Sequence, residues 1–91
     1  MHSNPSKQRY YDKGRQIVID GKKKPCADCG IEYPYYIMQY DHRDSSSKLF
    51  HVGLSKSKGH KLLLDEIAKC DVVCANCHAE RTYQRRLNLS L

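Results

Sequence analysis

Apolar residues fall along this chain in clusters of a few residues, set between lysine-, serine- and glycine-rich stretches. From Ser6 to Lys24 the apolar members Tyr10, Tyr11, Ile17, Val18 and Ile19 sit in a lysine- and arginine-rich run, which reads as a short helix stopped by Gly21. Tyr35 to Asp41 is rich in aromatic and branched residues and has the character of a strand. Asp44 to Lys48, with three consecutive serines, reads as a turn, and Leu49 to Val52 as a short return strand, so the two strands are expected to form a β-hairpin. Gly53 to Lys61 reads as a loop. In Leu62 to Lys69, Leu63 with Ile67 and Leu64 with Ala68 repeat at helical spacing and predict a short amphipathic helix. Asp71, Val72 and Val73 then lead into a final helix over Ala75 to Leu87. On that helix His78, Arg81, Thr82 and Arg85 share one face, and Ala75, Ala79, Tyr83 and Leu87 another. The apolar face is expected to pack and the basic face to meet phosphate. The elements together describe a small α+β fold.

A chain of 91 residues buries little apolar surface, so a staple is expected. Its apolar runs are too short to span a membrane, and Met1 to Tyr10 lacks the apolar core and cleavage site of a secretory signal. A cytosolic chain is the expectation. Five cysteines in a reducing compartment point to metal rather than to disulfides. A net charge of +6 and a pI near 9.1 favour a polyanionic partner such as nucleic acid, although a small basic protein can also be merely soluble. Lys22, Lys23 and Lys24 read equally as a solvated linker or a phosphate-contacting arm.

Cys26-Ala-Asp-Cys29 and Cys74-Ala-Asn-Cys77 are two Cys-x-x-Cys knuckles far apart in the chain, the arrangement that brings four thiolates around a structural Zn²⁺. Gly30 eases the turn after the first knuckle. Such a site contributes folding free energy on the order of 10 kcal/mol or more. A redox role would require a βαβ setting and no second copy. Cys70 is left over and reads as a small buried hydrophobe. Four protein ligands leave no open position, so this zinc is not expected to be catalytic.

Two features remain, Asp41-His42 at the end of the first strand and His78 directly after the last knuckle cysteine. A carboxylate and an imidazole suit a catalytic divalent ion such as Mg²⁺ or Mn²⁺, and a second histidine can take a proton from water. These are the parts needed to hydrolyse a phosphodiester. Tyr33-Pro-Tyr-Tyr-Ile-Met-Gln-Tyr-Asp-His-Arg43 and Ile67-Ala-Lys-Cys-Asp-Val-Val-Cys-Ala-Asn-Cys-His78 resemble the small HNH endonucleases common in phages and bacteria, over about Pro25 to Arg86.

That resemblance implies a zinc-stapled ββα-metal (His-Me finger) fold, a nuclease domain over 25–88 and a basic N-terminal segment over 1–24. It implies Asp41 and His78 as metal ligands and His42 as general base. Where the family has its middle Asn this chain has Lys69, Cys70 and Asp71; Asn76 either takes over the positioning role or caps the final helix. Arg43, Arg81, Arg85 and Arg86 are expected, as a group, to contact the phosphates of DNA. His51 and His60 read as surface residues, although His51, on the return strand, can approach the site. The function implied is nicking or double-strand cleavage of DNA, by a monomer or a homodimer. The alternatives are a zinc-ribbon module that only binds nucleic acid, and a structural zinc module for protein contacts, which the basic charge disfavours.

Overall fold

In the computed structural model, which describes residues 5–52 and 59–90, the N-terminal basic segment is one helix, α1 (Pro5–Gly21). Pro5 suits a first helical position, where its missing N–H would have no partner in any case. Ile17 and Val18 of α1 pack against a buried cluster of Val52, Leu63 and Cys70, so α1 shares a core with the rest of the chain. The end of α1 is set by a close approach. Tyr40 donates its hydroxyl to the Val18 carbonyl at 2.7 Å, and a Cβ on Gly21 would lie 2.1 Å from that hydroxyl oxygen. A larger residue there would have to push the Tyr40 ring aside.

The sheet has two antiparallel strands, β1 (Met38–His42) and β2 (Cys70–Cys74), with Met38 opposite Cys74, Asp41 opposite Asp71 and His42 opposite Cys70. The expected hairpin with Leu49–Val52 does not form. Those four residues are irregular: the Leu49 N–H goes to the Glu66 carboxylate at 2.9 Å, and Val52 is buried in the second core cluster. The physical reason lies in β2, whose branched Val72 and Val73 bury fully while Cys74 is held against Cys26 by the knuckles. The serine turn is present as a short 3-10 turn (Ser45–Ser47), with Asp44 accepting from the Ser46 N–H and hydroxyl at 3.0 and 2.7 Å. Within the expected Gly53–Lys61 loop, residues 53–58 lie outside the described residues.

Helix α2 (His60–Ile67) begins two residues earlier than the Leu spacing predicts, and Cys70 is already in β2. Helix α3 (Ala75–Ser90) follows β2 directly. Its docking inverts the expectation: Ala75 and Ala79 are exposed, as are Tyr83 and Leu87, while His78, Arg81 and Arg85 face the sheet. The sheet offers carboxylates on that side, so the charged face of α3 is the one that docks. Met38, Val72 and Val73, with Cys26 and Cys74, form the first core cluster, and Tyr40 packs on both clusters.

Candidate metal and catalytic centre

The knuckles meet at the end of the sheet. Cys26 lies just before a turn closed by a hydrogen bond from the Gly30 N–H to the Cys26 carbonyl at 2.9 Å, with Gly30 at φ 75°, a conformation that favours glycine. The Ala27 N–H donates to the Val72 carbonyl at 2.9 Å and ties this turn to β2. Cys74 ends β2 and Cys77 lies in the first turn of α3. The four sulfurs of Cys26, Cys29, Cys74 and Cys77 lie within 4.8 Å of one another. Tetrahedral Zn–S bonds of about 2.3 Å put sulfurs about 3.8 Å apart, so a small contraction closes this cluster on one ion.

Backbone N–H groups already serve the thiolates, from Cys74 to the Cys26 sulfur at 3.3 Å, and from Cys29 and Cys77 to the sulfurs of Cys26 and Cys74 at 3.5 Å. Burial would raise the Cys26 thiol, but N–H groups of Cys29, Cys74 and Asp28 bring it down to about 6. Cys77 is pushed up to about 12 by its hydrogen bond to Cys74 and then by burial. Cys29 is raised as well, so Cys29 and Cys77 resist ionising beside their neighbours unless a cation compensates the charge. The donor set fits a metal ion such as zinc. Cys70 is buried away from this cluster, and burial pushes its thiol up to about 11.

Beside the knuckles, α3 lays its charged face on the two strands. Asp41, only 4 % exposed, receives Arg85 through a two-pronged contact at 2.7 and 2.8 Å and Arg81 at 2.7 Å. Burial would raise the Asp41 carboxyl, but hydrogen bonds from Arg85 and Arg81 hold it below the usual carboxylate range. Arg81 also reaches Asp71 at 3.0 Å and grips Asp28 of the first knuckle at 2.7 and 2.6 Å. Arg43 reaches Asp71 at 3.3 Å and donates to the Ala68 carbonyl. Three of the arginines expected on phosphate are thus engaged with Asp28, Asp41 and Asp71, contacts that hold the sheet, knuckle and helix together. Arg86 is exposed on α3.

His78 sits on the same face, with Nδ1 3.7 Å from Oδ1 of Asp41. That nitrogen is buried and has no hydrogen-bond partner among the described residues. Asp41, His42, His78 and Arg85 line a cleft of about 450 Å³ together with Lys22 and Lys48. His51 also lines it, within 3.1 Å of the Lys48 ammonium, so its approach to the site is realised without a return strand. Adjacent strand residues point to opposite faces, and the contacts of Asp41 and His42 diverge accordingly. Asp41 meets α3, whereas His42 Nε2 lies 2.7 Å from Oε2 of Glu66 on α2.

Asn76 is exposed in the first turn of α3 and does not line the cleft, so it neither precedes the helix as a cap nor reaches His42. His60 stacks on Tyr10, with ring centroids 4.3 Å apart, and belongs to the α1–α2 contact. The sequence reading missed Asp28, Asp71 and Glu66. For Glu66 a signal was present: with Leu63 and Ile67 it falls on the buried face of α2, where an acid demands partners. Burial would raise Glu66, but the Leu49 N–H, then Lys69 and His42, bring it down to about 2.

The fold and the site define a class: an α+β domain with a four-cysteine cluster at the root of a helix and an Asp-His cleft alongside. Comparison with protein-family models, curated proteins and solved structures returns no match.

Proposed function

We propose that this protein is a metal-dependent DNA endonuclease of the HNH type, with zinc in the four-cysteine cluster and a second divalent ion at Asp41 and His78. The observation that carries this reading is the buried Nδ1 of His78, without a hydrogen-bond partner among the described residues and 3.7 Å from an oxygen of buried Asp41 in the wall of a cleft. A carboxylate and an imidazole are donors that would suit a divalent cation, so Asp41 and His78 would be the residues to hold it. When bound, the ion supplies Lewis-acid stabilisation of the phosphate and the leaving oxygen. Asp41 and His78 hold it, and His42 takes the proton of the attacking water. Arg85, roughly half exposed at the cleft, is then released from Asp41 to a phosphate, while Lys22 and Lys48 add positive charge along the wall.

A second reading, a zinc-ribbon module that binds nucleic acid without cutting it, draws support from the guanidinium groups on both oxygens of Asp41. Supercoiled plasmid separates the two. The nuclease nicks it with Mg²⁺, Mn²⁺ or Ni²⁺, and loses nicking with EDTA and in His42→Ala and His78→Ala. Retention of plasmid in a gel shift without nicking in any metal, or equal nicking by His42→Ala, refutes the nuclease.

A further inference from the structure

The nuclease reading assigns His42 the role of base but leaves unexplained the acid buried behind it. Glu66 is 1 % exposed, and both of its oxygens are occupied. Oε2 accepts from the Leu49 N–H at 2.9 Å and faces His42 Nε2 at 2.7 Å. Oε1 accepts from the Lys69 ammonium at 3.0 Å, and Lys69 also donates to the Ser47 carbonyl at 2.9 Å. A carboxylate is costly to bury, and this one persists because three donors from two stretches of chain converge on it.

The chemistry of those partners constrains His42. Burial opposes ionisation, but the Leu49 N–H on Oε2 and the Lys69 ammonium on Oε1 both favour the carboxylate, and they hold Glu66 ionised, its carboxyl well below the usual range. The nitrogen of His42 that faces it must then carry the proton. In a neutral ring the other nitrogen, Nδ1, keeps its lone pair. His42 itself lines the cleft with Asp41 and His78.

We propose that Glu66 is the positioning residue for His42: it fixes the ring in the Nε2–H tautomer and leaves Nδ1 as the atom that accepts the proton of the attacking water. The proposal rests on the nuclease reading. In the step itself a water O–H bond breaks, its proton passes to Nδ1, and the electron pair stays on the oxygen that bonds to phosphorus. The P–O bond to the leaving oxygen then breaks, that oxygen is protonated from solvent, and the proton on His42 returns to solvent. Throughout, Nε2–H stays on Glu66, and the positive charge that develops on the ring lies against a carboxylate, as in other carboxylate-oriented histidine bases. The same contacts tie the segment from His42 to Leu49, including Ser45 and Lys48 of the cleft wall, to α2.

Two measurements test this on the full zinc-loaded chain. Long-range ¹H–¹⁵N correlation of the histidine rings in wild type reads the tautomer without any variant, and His42 is expected as Nε2–H. Steady-state nicking of plasmid with Mn²⁺ is then compared between wild type, Glu66→Gln and Glu66→Asp. Loss of one correctly oriented base predicts a fall in kcat of about 10²-fold or more for Glu66→Gln, with KM within about twofold, and partial recovery in Glu66→Asp. A wild type that nicks with His42 as Nδ1–H overturns this proposal alone. So does a folded, zinc-loaded Glu66→Gln with unchanged kcat. A wild type with the Nε2–H tautomer that nicks no plasmid in any metal overturns the nuclease reading and, with it, the catalytic part of the proposal.

Discussion

Asp41 and Asp71 stand opposite each other across the β1–β2 ladder, and one nitrogen of Arg81 binds an oxygen of each, at 2.7 and 3.0 Å. Like charges directly opposed on a sheet repel. Here the repulsion is cancelled from a third element, α3, whose arginine also grips Asp28 and so fastens the first knuckle to the sheet. Without Arg81, Asp41 remains buried with Arg85 as its main counter-ion.

Arg81→Met is therefore expected to lower stability by about 2–4 kcal/mol, the scale of removing one partner from a buried ion pair. Arg85→Met should cost clearly less, because Arg85 is about half exposed and Arg81 remains on Asp41. Denaturant midpoints at constant zinc measure both, and equal losses for the two variants would contradict this ranking.

Gly21 and Tyr40 form a second tight pairing, with the room for a Cβ on Gly21 taken by the Tyr40 hydroxyl. Gly21→Ala is expected to cost about 1–3 kcal/mol through the steric shift it forces. In a Tyr40→Phe background the same change should cost less, because the closest atom is gone. A double-mutant cycle giving no coupling between the sites would show that Gly21 acts through helix termination alone.

Metal analysis by native mass spectrometry should find one zinc ion per chain, lost in Cys26→Ser and Cys74→Ser together with cooperative unfolding. The loss is on the order of 10 kcal/mol. Cys70→Ala should retain the ion, since that thiol is buried away from the cluster and held in its neutral form. Zinc-free protein that remains folded would remove the staple from the account.

Glu66 makes stability depend on acid. Its carboxyl is lowered from 4.5 to about 2 on folding, so its contribution is fully present above the unfolded value and is lost as pH falls toward the folded one. The gap in Tm between wild type and Glu66→Gln should therefore narrow as pH is taken from about 5 to about 3. A gap that widens over that range would mean that Glu66 is protonated in the folded protein.

Some of this was legible in the chain because it is local. Two residues between cysteines set the geometry of each knuckle, and a four-residue apolar repeat places α2 within two residues of where it forms. The face shared by His78, Arg81 and Arg85 follows from helical spacing alone. Only the tertiary structure decided what that face meets. Its arginines belong to Asp28, Asp41 and Asp71 because α3 crosses the carboxylate side of the sheet, while Tyr83 and Leu87, on the apolar face expected to pack, stay in solvent. The partner of β1 was hidden for the same reason. Pairing of β1 with Cys70–Cys74 depends on contacts between distant stretches of chain, closed by Cys26 and Cys74, and no local periodicity records them. Glu66 shows the limit most sharply: its place on a buried helical face could be read from spacing, but its alignment with His42 exists only once α2 is laid beside the end of β1.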